Sequence, residues 1–165
     1  MYGRAGLPPA ERELGAIGSS IVNRCVYCAA VHGARYNQLT KTTELVAKIF
    51  ADETEAQLDE RSQALFDFSV ELAKSPPALK VQHADGLKEL GFDTLGVVDL
   101  VLATAIFGWA NRLMHVLVAP PHNAPFPSVP FSASNPLLTF RSEIDAFGEA
   151  MEYPYQTCYT ICRNN

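Results

Sequence analysis

The chain is short of positive charge, of long apolar runs and of strand-like alternation. Thirteen Lys and Arg stand against eighteen Asp and Glu, a net charge of −5. A general nucleic-acid binder needs a surplus of cations, so that class is excluded. The longest apolar stretch, Leu100 to Ala110, is framed by Asp99 and by Asn111-Arg112. It is too short to span a bilayer and reads as a buried helix, so no membrane partner is expected. The N-terminal residues through Pro9 lack the apolar core of a secretion signal, and the expected location is cytoplasmic. No alternating run of β-branched residues is long enough to build a sheet, and no segment repeats. Cysteine is sparse as well, with four in 165 residues. A chain this long buries about 70% of its unfolded surface and needs no disulfide staples. Four cysteines in a cytoplasmic chain therefore point to redox or metal chemistry.

What the chain does contain is one helical signal after another. Pro8-Pro9 followed by Glu11 and Glu13 opens a first helix to about Val22, with early acids suiting the helix dipole. Asn23-Arg24 reads as a break, Asn being tolerant of the left-handed conformation. A second helix is expected from Cys25 to Leu39, and a third, capped by Thr42 or Thr43, to Ala51. Asp59 starts a fourth, whose Leu65, Phe66, Phe68, Ser69 and Leu72 recur at helical spacing until Ser75-Pro76-Pro77 stops it. Ala78 to Leu90 forms a fifth, ended by Gly91. A sixth, capped by Asp93 or Thr94, runs from Leu95 to Val118 and is apolar nearly all round, so it is expected to be the central buried helix. Ala119 to Pro136 is Pro-rich and reads as a loop or arm, with a last helix from Asn135-Pro136 through Phe147. The expected fold class is all-α, with six or seven helices. Residues 1–118 form the core, and 119–165 an arm and extension packed on the same domain.

One constellation carries chemistry: Cys25-Val26-Tyr27-Cys28-Ala29-Ala30-Val31-His32, with Glu13 upstream. Positions i, i+3 and i+7 share one helix stripe, which is the spacing of Cys25, Cys28 and His32. A cysteine at a helix start is favoured as thiolate by unpaired N–H groups and by the dipole, and thiolate is the nucleophilic form. The break at Asn23 lies midway between Glu13 and His32. Folding back there would set the carboxylate on the imidazole, fixing its tautomer and making a Glu13–His32–Cys proton relay. The small Gly15, Ala16, Gly18, Ser19 and Ser20 permit that approach. Were the helix to run straight, Glu13 and Cys25 would lie about 18 Å apart and the relay would fail.

The pattern Glu-(eleven residues)-Cys-x-x-Cys-x-x-x-His resembles the active-site motif of the AhpD-like alkylhydroperoxidases of the carboxymuconolactone decarboxylase superfamily. Glu13, Cys25, Cys28 and His32 match it position for position. Ala10-Glu-Arg-Glu-Leu, His32-Gly and Phe107 to Arg112 are similar in context, so the resemblance spans residues 8 to 118 and is greatest to the shorter peroxidase-related members. It implies an AhpD-like helical bundle with Cys-x-x-Cys at the N-terminus of the second helix, assembled as trimers or hexamers. It further implies that Cys28 attacks a small hydroperoxide and becomes a sulfenic acid. Cys25 would then close a Cys25–Cys28 disulfide, and a lipoyl or thioredoxin-like dithiol donor would reopen it. Glu13 and His32 would move the protons, and no metal or organic cofactor is required. The tail after Ala119 has no counterpart in the motif.

Two other readings use the same residues. A dithiol–disulfide oxidoreductase or redox sensor would exchange with a protein partner rather than a peroxide. A zinc-stapled helical module would take Cys25, Cys28 and His32 as ligands, with Cys158 or Cys162 as the fourth. Cys158 and Cys162 otherwise read as inert or peripheral. His83, His115 and His122 show no partner pattern; His83 is placed on a wet helix face, His122 in the Pro-rich loop and His115 at a core or interface. Arg112 is expected to cap carbonyls. Phe66, Phe68, Phe107 and Trp109 are expected in the core.

Overall fold

Short polar side chains and prolines set where the helices begin. In the computed structural model, which describes residues 6–117 and Phe126, Pro9 occupies the first position of α1 (Pro9–Val22), where its missing N–H costs nothing. Three further helices follow: α2 (Val26–Thr40), α3 (Glu44–Asp52) and α4 (Glu60–Ala73), with one 3-10 turn, Glu53–Glu55, between α3 and α4. Asp59 caps α4 by accepting from the Ser62 N–H at 3.1 Å. The last two are α5 (Val81–Glu89) and α6 (Thr94–Leu117). Asp93 accepts from the Gly96 N–H at 2.7 Å and starts α6, while Gly91 turns the chain after α5 with φ +86°. The described residues contain these six helices and no strand, so the described part of the chain is all-α. The expected helix after Pro136, the arm over 119–165, His122, Cys158 and Cys162 lie outside the described residues.

Two expectations need correction. The helix at the centre is α1, not α6: α1 packs against α2, α4 and α6 and is buried from Arg12 to Ile21. The reason is steric. A Cβ on Gly18 would come within 2.9 Å of the Ser69 side chain, and one on Gly15 within 3.2 Å of Leu100 and Thr104. Glycines at these positions let three helices close on one axis. Only one face of α6 is used in that packing, through Gly96, Leu100, Ala103, Thr104, Asn111 and Met114. The other face carries Leu95, Val98, Leu102, Ile106, Trp109, Leu113 and Val116, all exposed. Trp109, expected in the core, is 61% exposed. By length and composition α6 is also apolar enough to cross a membrane, a longer run than Leu100 to Ala110 indicates. Its buried face is tied to α1 by polar side chains.

The second correction concerns the break between α1 and α2. The left-handed residue is Arg24 (φ 56°), whereas Asn23 stays at φ −81°. Arg24 is held there by an ion pair with Glu53 at 2.6 Å, and its guanidinium lies 4.8 Å from the Phe126 ring centroid. Near the start of α1, the buried Arg12 meets Asp99 of α6 at 3.2 Å and donates to the Leu7 carbonyl at 2.7 Å. Leu65, Phe66 and Phe68 of α4 fill the core together with Leu14, Ile17 and Ile21 of α1.

Candidate functional site

The reversal at Asn23-Arg24 lays α2 back along α1, and this brings Glu13 onto His32. Glu13 Oε2 and His32 Nδ1 are 2.6 Å apart, with Glu13 only 3% exposed and the imidazole 13% exposed. As a carboxylate Glu13 accepts from Nδ1–H. That fixes the tautomer and leaves Nε2 as the nitrogen that takes and gives a proton. Phe107 of α6 packs edge-on against the imidazole, with centroids 4.0 Å apart and planes at 65°. The ring is thus clamped between a carboxylate on α1 and an aromatic on α6.

Cys25 sits at the N-cap of α2 and Cys28 in its first turn, one turn before His32. Both are reduced and buried, and both pack against Met114 and Tyr27. Cys25 ionises well below an ordinary thiol, at about 6. The Cys28 thiol facing it is the main cause. Burial opposes the shift, and the Cys28 backbone N–H, the charge of His115 and the Asn111 side chain add to it. This direction favours thiolate character at Cys25 relative to an ordinary thiol.

Asn111 and His115 went unrecognised from sequence. Asn111, fully buried, donates from Nδ2 to Ser20 Oγ at 3.1 Å, and its Oδ1 accepts from Asn23 Nδ2 at 3.3 Å. Ser20 Oγ in turn donates to the Ala16 carbonyl at 2.7 Å, and the Ser20 carbonyl accepts the Cys25 N–H at 2.9 Å. His115 Nε2 lies 2.6 Å from the Asn23 carbonyl. The signal was present: Phe107, Asn111 and His115 recur at i, i+4 and i+8, placing two polar groups in one row of an otherwise apolar helix. Of the other residues singled out, Arg112 donates to the Gly108 carbonyl at 2.6 Å. His83 Nδ1 accepts from the Lys80 N–H at 2.9 Å and caps α5. Among the described residues no three His, Cys, Asp or Glu side chains are grouped to hold a metal ion.

A helical bundle of this kind, with paired cysteines opening its second helix beside a Glu–His pair, is AhpD-like. The carboxymuconolactone decarboxylase family pattern matches residues 1–71, which hold all four residues of the constellation. The chain is similar in fold and in its N-terminal motif to the AhpD-like proteins of the carboxymuconolactone decarboxylase superfamily. It is similar to the alkylhydroperoxidase AhpD core of a peroxidase-related protein from Ralstonia eutropha JMP134. The identity is 26% over 76% of this chain and 70% of that one, with a TM-score of 0.65. A peroxidase-related protein from Silicibacter sp. TM1040 shows 25% identity over 77% and 68% of the two chains, with a TM-score of 0.63. The debrominase Bmp8 shares the fold at 19% identity over 80% and 68%, with a TM-score of 0.59. No curated protein matches the chain.

Proposed function

We propose that the protein reduces small hydroperoxides at the expense of an external dithiol. The observation that supports this reading is the 2.6 Å Glu13–His32 bond, with His32 one helical turn after Cys28, since a carboxylate-held imidazole can serve as a proton carrier. His32 takes the Cys28 proton, the thiolate attacks the terminal peroxide oxygen, and His32 returns the proton to the departing alkoxide. The products are a Cys28 sulfenic acid and an alcohol, or water from hydrogen peroxide. Cys25 attacks the sulfenic sulfur and the disulfide closes with release of water. A lipoyl or thioredoxin-like dithiol restores both thiols. The protein needs no resident metal or organic cofactor and works in the cytoplasm. The experiment is consumption of cumene hydroperoxide with a dithiol present. Turnover should vanish in Cys28→Ser at unchanged helicity, and undiminished turnover in that variant ends the proposal.

The depressed ionisation of Cys25 favours one other reading, dithiol–disulfide exchange or redox sensing with a protein partner, because exchange also starts from a thiolate. Slow reaction of the reduced protein with peroxides, combined with fast exchange with a protein disulfide, would select it.

The exposed stripe of α6 supports self-association into trimers or hexamers. Leu95, Leu102, Trp109 and Val116 recur every seven residues along it, and a stripe so apolar is costly to leave in water. A monomer across micromolar concentrations in sedimentation would overturn that assembly.

A further inference from the structure

The Glu13–His32 pair serves Cys28, and the reading above gives Cys25 no partner of its own. The structure places a second imidazole on that side of the site. His115 stands on α6 next to Met114, which forms one buried cluster with Cys25 and Cys28. Its Nε2 is 2.6 Å from the carbonyl of Asn23, two residues before Cys25. A carbonyl only accepts, so Nε2 carries the hydrogen and Nδ1 is the nitrogen that gains or loses a proton. The anchor is itself fixed: the Asn23 side chain donates to Asn111, which donates to Ser20, whose carbonyl receives the Cys25 N–H.

We propose that His115 is a positioning residue for Cys25, storing the proton that the thiol sheds so that Cys25 enters disulfide closure as a thiolate. The charge of His115 lowers the ionisation of Cys25, in agreement with this role. The other group that lowers it from α2 is Cys28, and from α6 Asn111; Arg24, the neighbouring cation, is engaged by Glu53. In the closing step, which rests on the hydroperoxide reading, the Cys25 thiolate attacks the sulfur of the Cys28 sulfenic acid. The S–S bond forms, the S–O bond breaks, and the departing hydroxide takes the proton held by His115 to become water. The peroxide, already consumed, is the oxidant. The site would thus hold two imidazoles with divided labour: His32 for oxidation of Cys28, His115 for closure by Cys25.

The first test is His115→Gln, which keeps an N–H donor but holds no titrating proton. Thiolate absorbance at 240 nm should show the Cys25 midpoint rising about one pH unit from about 6. After one equivalent of cumene hydroperoxide, disulfide closure should slow about tenfold while sulfenic acid formation keeps its rate. An unchanged midpoint overturns the proposal. The second test leaves His115 in place and so does not depend on how that variant folds. In protein labelled with nitrogen-15 at histidine, the His115 ring signals should step at the Cys25 midpoint, and the step should disappear in Cys25→Ser. Absence of the step in the unmutated chain overturns the proposal as well. Both titrations run without peroxide. Loss of the hydroperoxide reading through unimpaired Cys28→Ser turnover is therefore a separate result.

Discussion

Glu13 and His32, nineteen positions apart in sequence, share a 2.6 Å hydrogen bond between buried faces of α1 and α2. The first prediction follows from it. Glu13→Gln keeps the shape but removes the charge that holds Nδ1–H. Peroxide turnover should fall about a hundredfold, the lower range for losing general acid–base assistance. Steady-state assays with cumene hydroperoxide check this, and turnover within twofold of the unmutated protein would remove Glu13 from the relay.

Cys25 gives a pH dependence with a definite sign. Its ionisation in the folded chain is lowered from 9.0 to about 6, the Cys28 thiol being the chief cause. A group depressed on folding contributes stability that is fully present above its unfolded value and is lost as pH falls through its folded value. Urea midpoints should therefore decline as pH drops from about 9 to about 6, and Cys25→Ala should remove that part of the decline. A decline of equal size in the variant would deny Cys25 its thiolate.

Which sulfur meets the peroxide is decided by trapping. In Cys25→Ser, dimedone should label Cys28 after one equivalent of hydroperoxide, because no second thiolate remains to close the disulfide. Labelling confined to Cys25 in Cys28→Ser would reverse the roles of the two.

The central position of α1 can be tested by stability alone. A Cβ on Gly18 would lie 2.9 Å from the Ser69 Cβ and 3.4 Å from the Phe66 carbonyl, both on α4. Gly18→Ala should destabilise the protein by about 1–3 kcal/mol through overpacking, partly offset by the better helix propensity of Ala. Gly86→Ala, with open space at its Cβ, should not destabilise it. Chemical denaturation of the two variants gives the comparison, and equal stabilities would contradict the close α1–α4 contact.

Much of this molecule is local chemistry and is therefore legible in its residues. Pro9, Asp59, Asp93 and Gly91 mark helix ends by their own backbone and side-chain preferences, and the structure uses all four. The i, i+3, i+7 spacing of Cys25, Cys28 and His32 puts them on one stripe wherever the helix lies. The three-dimensional packing decided what spacing leaves open. Hydrophobicity made α6 the candidate for the centre, but burial depends on which neighbours can approach, and the glycines of α1 admit α4 and α6 while α2 packs alongside. Asn111 and His115 join the site only because α6 runs beside α1 and returns its polar row to the turn before Cys25. Sequence determined the helices and the reactive stripe, since both depend on neighbours a few residues away. Tertiary structure decided the centre, the proton partners and the favoured thiolate, since these depend on contacts between residues up to ninety-two positions apart.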